Sequence, residues 1–263
     1  MAKFGARDGV LRQPPDTILE EAARLGFDGI ETEPPSRDPY TWKPWDAAYR
    51  AEMKAKCARL GVEVASLCAG VLWHRSPASD DPAVREEAQR LLERLIDVTN
   101  DFGARVLLVP LTPAQGVPPE VERQRWREAV RAIADYAQAR GVTLALENVG
   151  NDFCKSAPEI LELVRAIDHP AVGVYYDPGN AVAFGYDPFT EVRLLGRYIA
   201  QMHAKGPRGM ALAEAGIDYR GLAKLLREEF GYDGWWVLET QAGDDPAKNA
   251  RANLEYLIQN IGR

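Results

Sequence analysis

A chain of 263 residues, 46% of them hydrophobic, can bury a large core either as one α/β barrel or as two smaller domains. Its formal net charge of -7 sets a field that repels polyanions, which excludes nucleic acid as a partner unless a strong basic patch overrides it. No uncharged apolar run of about 18 residues occurs and the opening MAKFGARDGV lacks a signal-like apolar segment, so a membrane partner is excluded and a cytoplasmic location is expected.

In chain order, KFGAR (3–7) is the first predicted strand. A helical pattern then ends at Gly26 and hands over to a strand finishing in GIETE, with Glu31 near its end. The same exchange recurs at Gly61 before VEVASLC and at Gly103 before ARVLLVP. Glycine suits the left-handed position just past a helix, so each marks a helix giving way to a strand. Next comes PPEVERQRWREAVRAIADYAQAR, the one arginine-rich stretch. Its arginines alternate with glutamates around Val121, Trp126, Val130, Ile133 and Tyr136 at helical spacing, which describes the solvated side of an amphipathic helix and not a nucleic-acid site. Gly141 precedes VTLALEN, His169 and Pro170 end the helix before AVGVYYD (171–177), Gly196 precedes RYIAQMH, and Gly231 precedes YDGWWVLET.

Eight strands, each followed by a helical pattern, are what a closed (β/α)8 barrel needs, and no linker or composition shift divides the chain. We therefore expect a single TIM-barrel domain over residues 1–263. An open doubly wound sheet usually carries a glycine-rich phosphate loop after its first strand, whereas RDGVLRQPPD follows here. The three cysteines, Cys57, Cys68 and Cys154, have no metal-type spacing and are expected to fill space.

In a parallel barrel the active-site groups come from the C-terminal strand ends. Four successive strands finish in Glu147, Asp177, His203 and Glu239. Alternation places Ala145 with Glu147, Tyr175 with Asp177 and Gln201 with His203, leaving the greasier set toward the helices; the eighth strand, with Trp235 beside Trp236, does not discriminate. Three carboxylates and an imidazole gathered at one mouth require a compensating cation, and this oxygen-rich set suits Mn²⁺ or Mg²⁺, with Co²⁺ or Zn²⁺ tolerated.

LALEN, YYDPGN, MHAKG and VLET, in this order, resemble the xylose isomerase-like TIM-barrel superfamily, in its sugar (phosphate) isomerase/epimerase branch. AARLGFDGIE and GYDGWWVLE carry the resemblance to both ends of the chain. It implies a divalent metal held by Glu147, Asp177, His203 and Glu239, with Glu147 and Glu239 as general acid and base. A metal chelated by a sugar carbonyl and its neighbouring hydroxyl acidifies the C–H between them, and a carboxylate above that carbon can move the proton through an enediolate. Where relatives carry a histidine three residues after the strand-six aspartate, this chain has Asn180, which can still bond a substrate hydroxyl.

Lys205 and Arg208 in HAKGPRG fall where relatives place basic residues against substrate oxygens or phosphate, and Glu31 and His74 follow strands two and three within reach of the mouth. The expected partner is a small sugar-like molecule, phosphorylated or not, bound to a monomer or a homo-oligomer. On the same metal site an inosose- or dehydroshikimate-type dehydratase is the alternative, and a non-catalytic sugar-binding relative is the alternative of another class. A multi-zinc nuclease of the same fold needs more histidines than His74, His169 and His203.

Overall fold

The computed structural model describes residues 1–150 and 152–263. Its eight parallel strands, β1 (Lys3–Arg7), β2 (Gly29–Thr32), β3 (Glu63–Cys68), β4 (Val106–Pro110), β5 (Thr143–Glu147), β6 (Val172–Tyr176), β7 (Ile199–Ala204) and β8 (Trp235–Leu238), form one closed barrel in sequence order. The (β/α)8 expectation holds. Closure comes from β1 lying beside β8, with Phe4 opposite Trp236 and Ala6 opposite Leu238.

Helices α1 (Asp8–Leu11), α2 (Ile18–Leu25), α3 (Ala47–Leu60), α4 (Pro82–Asp101), α5 (Pro119–Ala139), α6 (Ala157–Ile167), α7 (Pro178–Ala183), α8 (Pro188–Leu195), α9 (Tyr219–Phe230) and α10 (Pro246–Ile261) surround the strands. On α5, Trp126, Val130, Ile133 and Ala137 face the core while Arg127, Arg131 and Gln138 stay exposed, the amphipathic division expected of that stretch. The short α1 and α7 are extra elements inserted directly after β1 and β6. Both stand at the C-terminal end of the barrel and narrow its mouth. Among the described residues no helix is long and apolar enough to cross a membrane.

Two apolar clusters separate inside from outside. Ala65, Cys68, Val106, Leu108, Ala145, Tyr175 and Val237 fill the barrel, with Trp235 packed against them. Leu144, Leu146, Val174, Tyr176, Met202, Trp236 and Leu238 belong to the larger core beneath the helices. The alternation puts Ala145 and Tyr175 on the inside, and it resolves β8 as well: Trp235 and Val237 point in, Trp236 points out.

Gly26, Gly61 and Gly231 end their helices in the left-handed region, as the handover pattern requires. One boundary differs from expectation. The residue that stops α6 is Asp168, left-handed at φ 48°, and not the His169–Pro170 pair that follows it. A short polar side chain tolerates that conformation, so the helix ends one residue before the proline region begins.

Candidate metal centre

Glu147 is the last residue of β5, Asp177 follows β6, His203 lies near the end of β7 and Glu239 follows β8. Each offers one ligating atom within 4.8 Å of the others. His203 Nδ1 stands 3.0 Å from Glu147 Oε1, 3.2 Å from Glu239 Oε2 and 3.6 Å from Asp177 Oδ2. Asp177 and His203 are wholly buried, and Glu147 nearly so.

The local sequence explains why a core strand can finish in an acid. Asp177 caps α7: its Oδ1 accepts a hydrogen bond from the backbone N–H of Asn180 at 3.0 Å, and Pro178 occupies the first helical turn where no N–H is needed. The other oxygen, Oδ2, is buried and receives no directed hydrogen bond, although the Lys205 ammonium lies 2.8 Å away. Capping and metal binding therefore use different oxygens of one carboxylate. A buried carboxylate oxygen without a directed donor is a costly arrangement, and a divalent ion relieves it.

The ring of His203 is fixed from behind. Its Nε2–H donates to Glu31 Oε1 at 3.2 Å, and Glu31, with zero exposure, also accepts from the Ser66 hydroxyl at 2.6 Å and the Tyr175 hydroxyl at 2.9 Å. Gln201 donates to both Ser66 Oγ (2.8 Å) and the Tyr175 hydroxyl (3.1 Å), closing a buried polar layer one step below the mouth. A carboxylate on the far nitrogen is the usual support for a ligating histidine, because it sets the tautomer that leaves the near nitrogen to the metal. Burial lowers the basicity of His203, but the charges of Glu239 and Glu31 more than reverse this and hold its pKa well above the ordinary histidine value. Nδ1 faces Glu147, Asp177 and Glu239, in the position from which it would bind a metal.

Two further cations bear on the site. Lys205 Nζ lies 2.6 Å from Glu239 Oε2 as well as against Asp177. Arg7, at the end of β1, binds Glu239 through Nη1, Glu33 through Nη2 at 2.6 Å and Glu31 through Nε at 3.3 Å. Five carboxylates (Glu31, Glu33, Glu147, Asp177 and Glu239) thus share two permanent cations and one imidazolium. The remaining negative charge and the hard donor set fit a divalent cation.

The environment separates the two catalytic candidates. Burial pushes the Glu147 carboxyl up despite its contact with His203. Burial acts the same way on Glu239, yet His203, Arg7 and Lys205 together pull it far below the carboxylate range. Asp177 is also lowered: burial raises it, and Lys205 and His203 outweigh that.

A mouth cavity of about 250 Å³ brings Arg7, Glu33, Trp73, Glu147, Asn180 and Lys205 together with Glu239. Asn180 lines it, but its amide nitrogen already donates to the Asn148 carbonyl at 2.8 Å, tying α7 to the end of β5. Three other candidates stand elsewhere. Glu31 lies beneath His203, out of contact with the mouth; Arg208 is exposed and lines a neighbouring cavity with Gln241 and Asn253; His74 is exposed and borders neither cavity. Sequence reasoning missed Arg7 and Glu33. The signal was present, since Arg7 ends β1 just as Glu147 ends β5.

Gly179 lets α7 approach the end of β7. A Cβ there would fall 2.6 Å from the Lys205 carbonyl oxygen and 2.8 Å from that of Gly206, both backbone atoms that cannot swing aside. Gly179→Ala is accordingly expected to cost about 1–3 kcal/mol in urea unfolding, the usual range for overpacking, and to weaken Mn²⁺ binding by displacing Asp177 and Lys205 together.

The profile of the xylose isomerase-like TIM barrel family matches residues 19–260. The chain is 27% identical over 259 residues, 92% of its length and 90% of the other, to a provisionally named L-ribulose-5-phosphate 3-epimerase of Escherichia coli K12. It is 25% identical over 254 residues to the L-ribulose-5-phosphate 3-epimerase of Salmonella typhi, covering 93% of this chain and 89% of the relative. Among solved structures, the D-psicose 3-epimerase of Clostridium cellulolyticum H10 superposes with a TM-score of 0.85 at 19% identity, over 99% of this chain and 100% of that one. With the closed barrel and a family match across most of its length, the chain belongs to the xylose isomerase-like TIM-barrel family.

Proposed function

We propose that residues 1–263 act as one domain, a divalent-metal-dependent epimerase of a keto sugar. The observation that carries this reading is the convergence of Glu147, Asp177, His203 and Glu239 within 4.8 Å, with two glutamates of opposite electrostatic bias among them. Relatives named as 3-epimerases of L-ribulose 5-phosphate, and a fold shared with a D-psicose 3-epimerase, support it.

Mn²⁺ or Mg²⁺ would be held by those four side chains and, when bound, supplies a Lewis acid that stabilises negative charge on the substrate carbonyl oxygen. The protein does the rest. Glu239, kept ionised by Arg7 and Lys205, takes the proton from the carbon beside the carbonyl. Glu147, whose proton is held more tightly because of its burial, returns one from the other side and inverts the centre. Lys205 and Asn180, both on the mouth wall, orient substrate hydroxyls, and Trp73, exposed at the rim, shields the ring from water.

The test is to incubate the Mn²⁺-loaded protein with ketoses in D₂O. Deuterium enters the carbon next to the carbonyl and the epimer accumulates; a protein that binds sugar without exchanging any C–H would overturn the reading. Metal binding has its own readout. At 100 times its Kd, Mn²⁺ raises the unfolding free energy by about 2.7 kcal/mol, and a melting temperature that does not respond to Mn²⁺ or Mg²⁺ would remove the metal from the mechanism.

A further inference from the structure

The mouth has a neighbour. A second cavity of about 360 Å³ opens on the same barrel face, between the segment after β1 and the segment after β2. Glu33 and Ser36 line both cavities, so the two adjoin. The mouth alone, at about 250 Å³, is smaller than the roughly 300–1,000 Å³ that ligand sites occupy, and the adjoining cavity brings the combined space into that range.

Its lining is part apolar and part acidic. Trp42, Pro34, Pro35 and Met53 form an apolar wall, and Asp8 and Glu33 supply carboxylate acceptors beside it. Trp42 is held rigidly: it meets Trp45 edge to face at 5.1 Å, and Trp45 is itself stacked under the Arg94 guanidinium at 4.1 Å. Asp8 is held in place by the Thr32 hydroxyl (3.1 Å) and the Glu33 backbone N–H (3.2 Å). No lysine or arginine lines this cavity, and Arg7 at its edge is already committed to Glu31, Glu33 and Glu239. A phosphate placed there would meet the Asp8 and Glu33 carboxylates with no cationic side chain on the wall to offset them. A neutral ring with one apolar face and several hydroxyls fits the wall and the acceptors.

We propose that this cavity is a second sugar subsite, and that the substrate is an uncharged glycoside whose keto ring sits in the mouth while its other ring lies against Trp42 and the Pro34–Pro35 turn. The inference rests on the epimerase reading above and narrows its substrate class, setting aside free and phosphorylated monosaccharides.

The test compares deuterium exchange in D₂O by the full-length, Mn²⁺-loaded protein for methyl 3-keto-β-glucoside, 3-ketocellobiose and L-ribulose 5-phosphate. The keto ring is the same in the first two, so their kcat/KM ratio reads the second ring alone. An advantage of tenfold or more for 3-ketocellobiose is expected, with L-ribulose 5-phosphate the poorest of the three. Gly9→Phe, at a cavity-wall position where an added Cβ meets nothing within 4 Å, should bring that ratio down to about one. Gln13→Trp, an exposed position on the same wall, serves as the second blocking variant. Equal kcat/KM for the two glucosides, or preference for the phosphate ester, overturns the subsite and leaves the epimerase reading standing. Exchange with free ketoses but with none of the three overturns the subsite and leaves the epimerase reading standing. Exchange with neither the three nor any ketose overturns the epimerase reading, and titration of tryptophan fluorescence with cellobiose then decides the subsite separately: binding that Gly9→Phe abolishes supports it, and no binding overturns it.

Discussion

Glu239→Gln and Glu147→Gln should each lower the rate of C–H exchange on a bound keto sugar by about 10²–10⁴, the range that a positioned general acid or base contributes. Glutamine keeps an oxygen that can face the metal while removing the group that accepts or returns a proton. Mn²⁺ affinity, measured by calorimetry, should therefore change much less than turnover. The two losses should also differ in kind. Glu239 is held ionised by Arg7, His203 and Lys205, whereas Glu147 is pushed toward its neutral form by burial. Pairs whose environments drive them apart in this way divide the base and acid roles between them. Full activity in either variant would show that the proton moves through some other group.

Glu31→Ala should be the most destabilising single change near the site, by about 3–5 kcal/mol, because it leaves buried cationic partners without their counter-charge. Arg7 and His203 both lose a carboxylate that has zero exposure, and Ser66 and Tyr175 lose their acceptor. Urea unfolding of the metal-free protein measures the effect, as a lower midpoint at unchanged slope. A loss under about 1 kcal/mol would mean that the buried layer relaxes around the gap. The pH dependence has a fixed sign. Burial raises the Glu31 pKa, but His203, Arg7 and Ser66 overcome this and leave it lowered, so its stabilisation is present above the unfolded glutamate value of about 4.3 and fades as the pH falls below it. The gap between wild type and Glu31→Ala should close in acid. His203 behaves oppositely. Its raised pKa gives a contribution that is full below about 6.5 and is lost as the pH rises through the folded value.

The strand ends of the second half of the barrel were readable in advance because both signals are local. A positive-φ glycine announces most of the handovers, Asp168 taking that place before β6, and the two-residue alternation assigns Ala145 and Tyr175 to the inside along with the acids that follow them. Depth was not local. Strands in a closed barrel are staggered, so residues at comparable strand ends sit at different heights. Glu31 looked like a mouth residue, yet it lies under His203 and holds that ring instead of meeting substrate. Arg7 escaped notice because its partners, Glu31, Glu33 and Glu239, become neighbours only when β1 meets both β2 and β8. Asn180 lines the mouth as expected, but the tie of its amide nitrogen to the Asn148 carbonyl depends on the short helix that Asp177 caps, which the strand pattern does not announce. Arg208, in a loop whose course the sequence does not specify, lines the neighbouring cavity and not the mouth.

The bond between Arg7 and Glu239 joins positions 232 residues apart, across the seam where the first strand meets the last. A growing polypeptide therefore has no working chemistry to offer until its final hairpin-free turn of the sheet is laid down. Half a barrel would hold an unbalanced acidic arc in place of a catalyst, so the capacity to react arrives in one step with the completed ring.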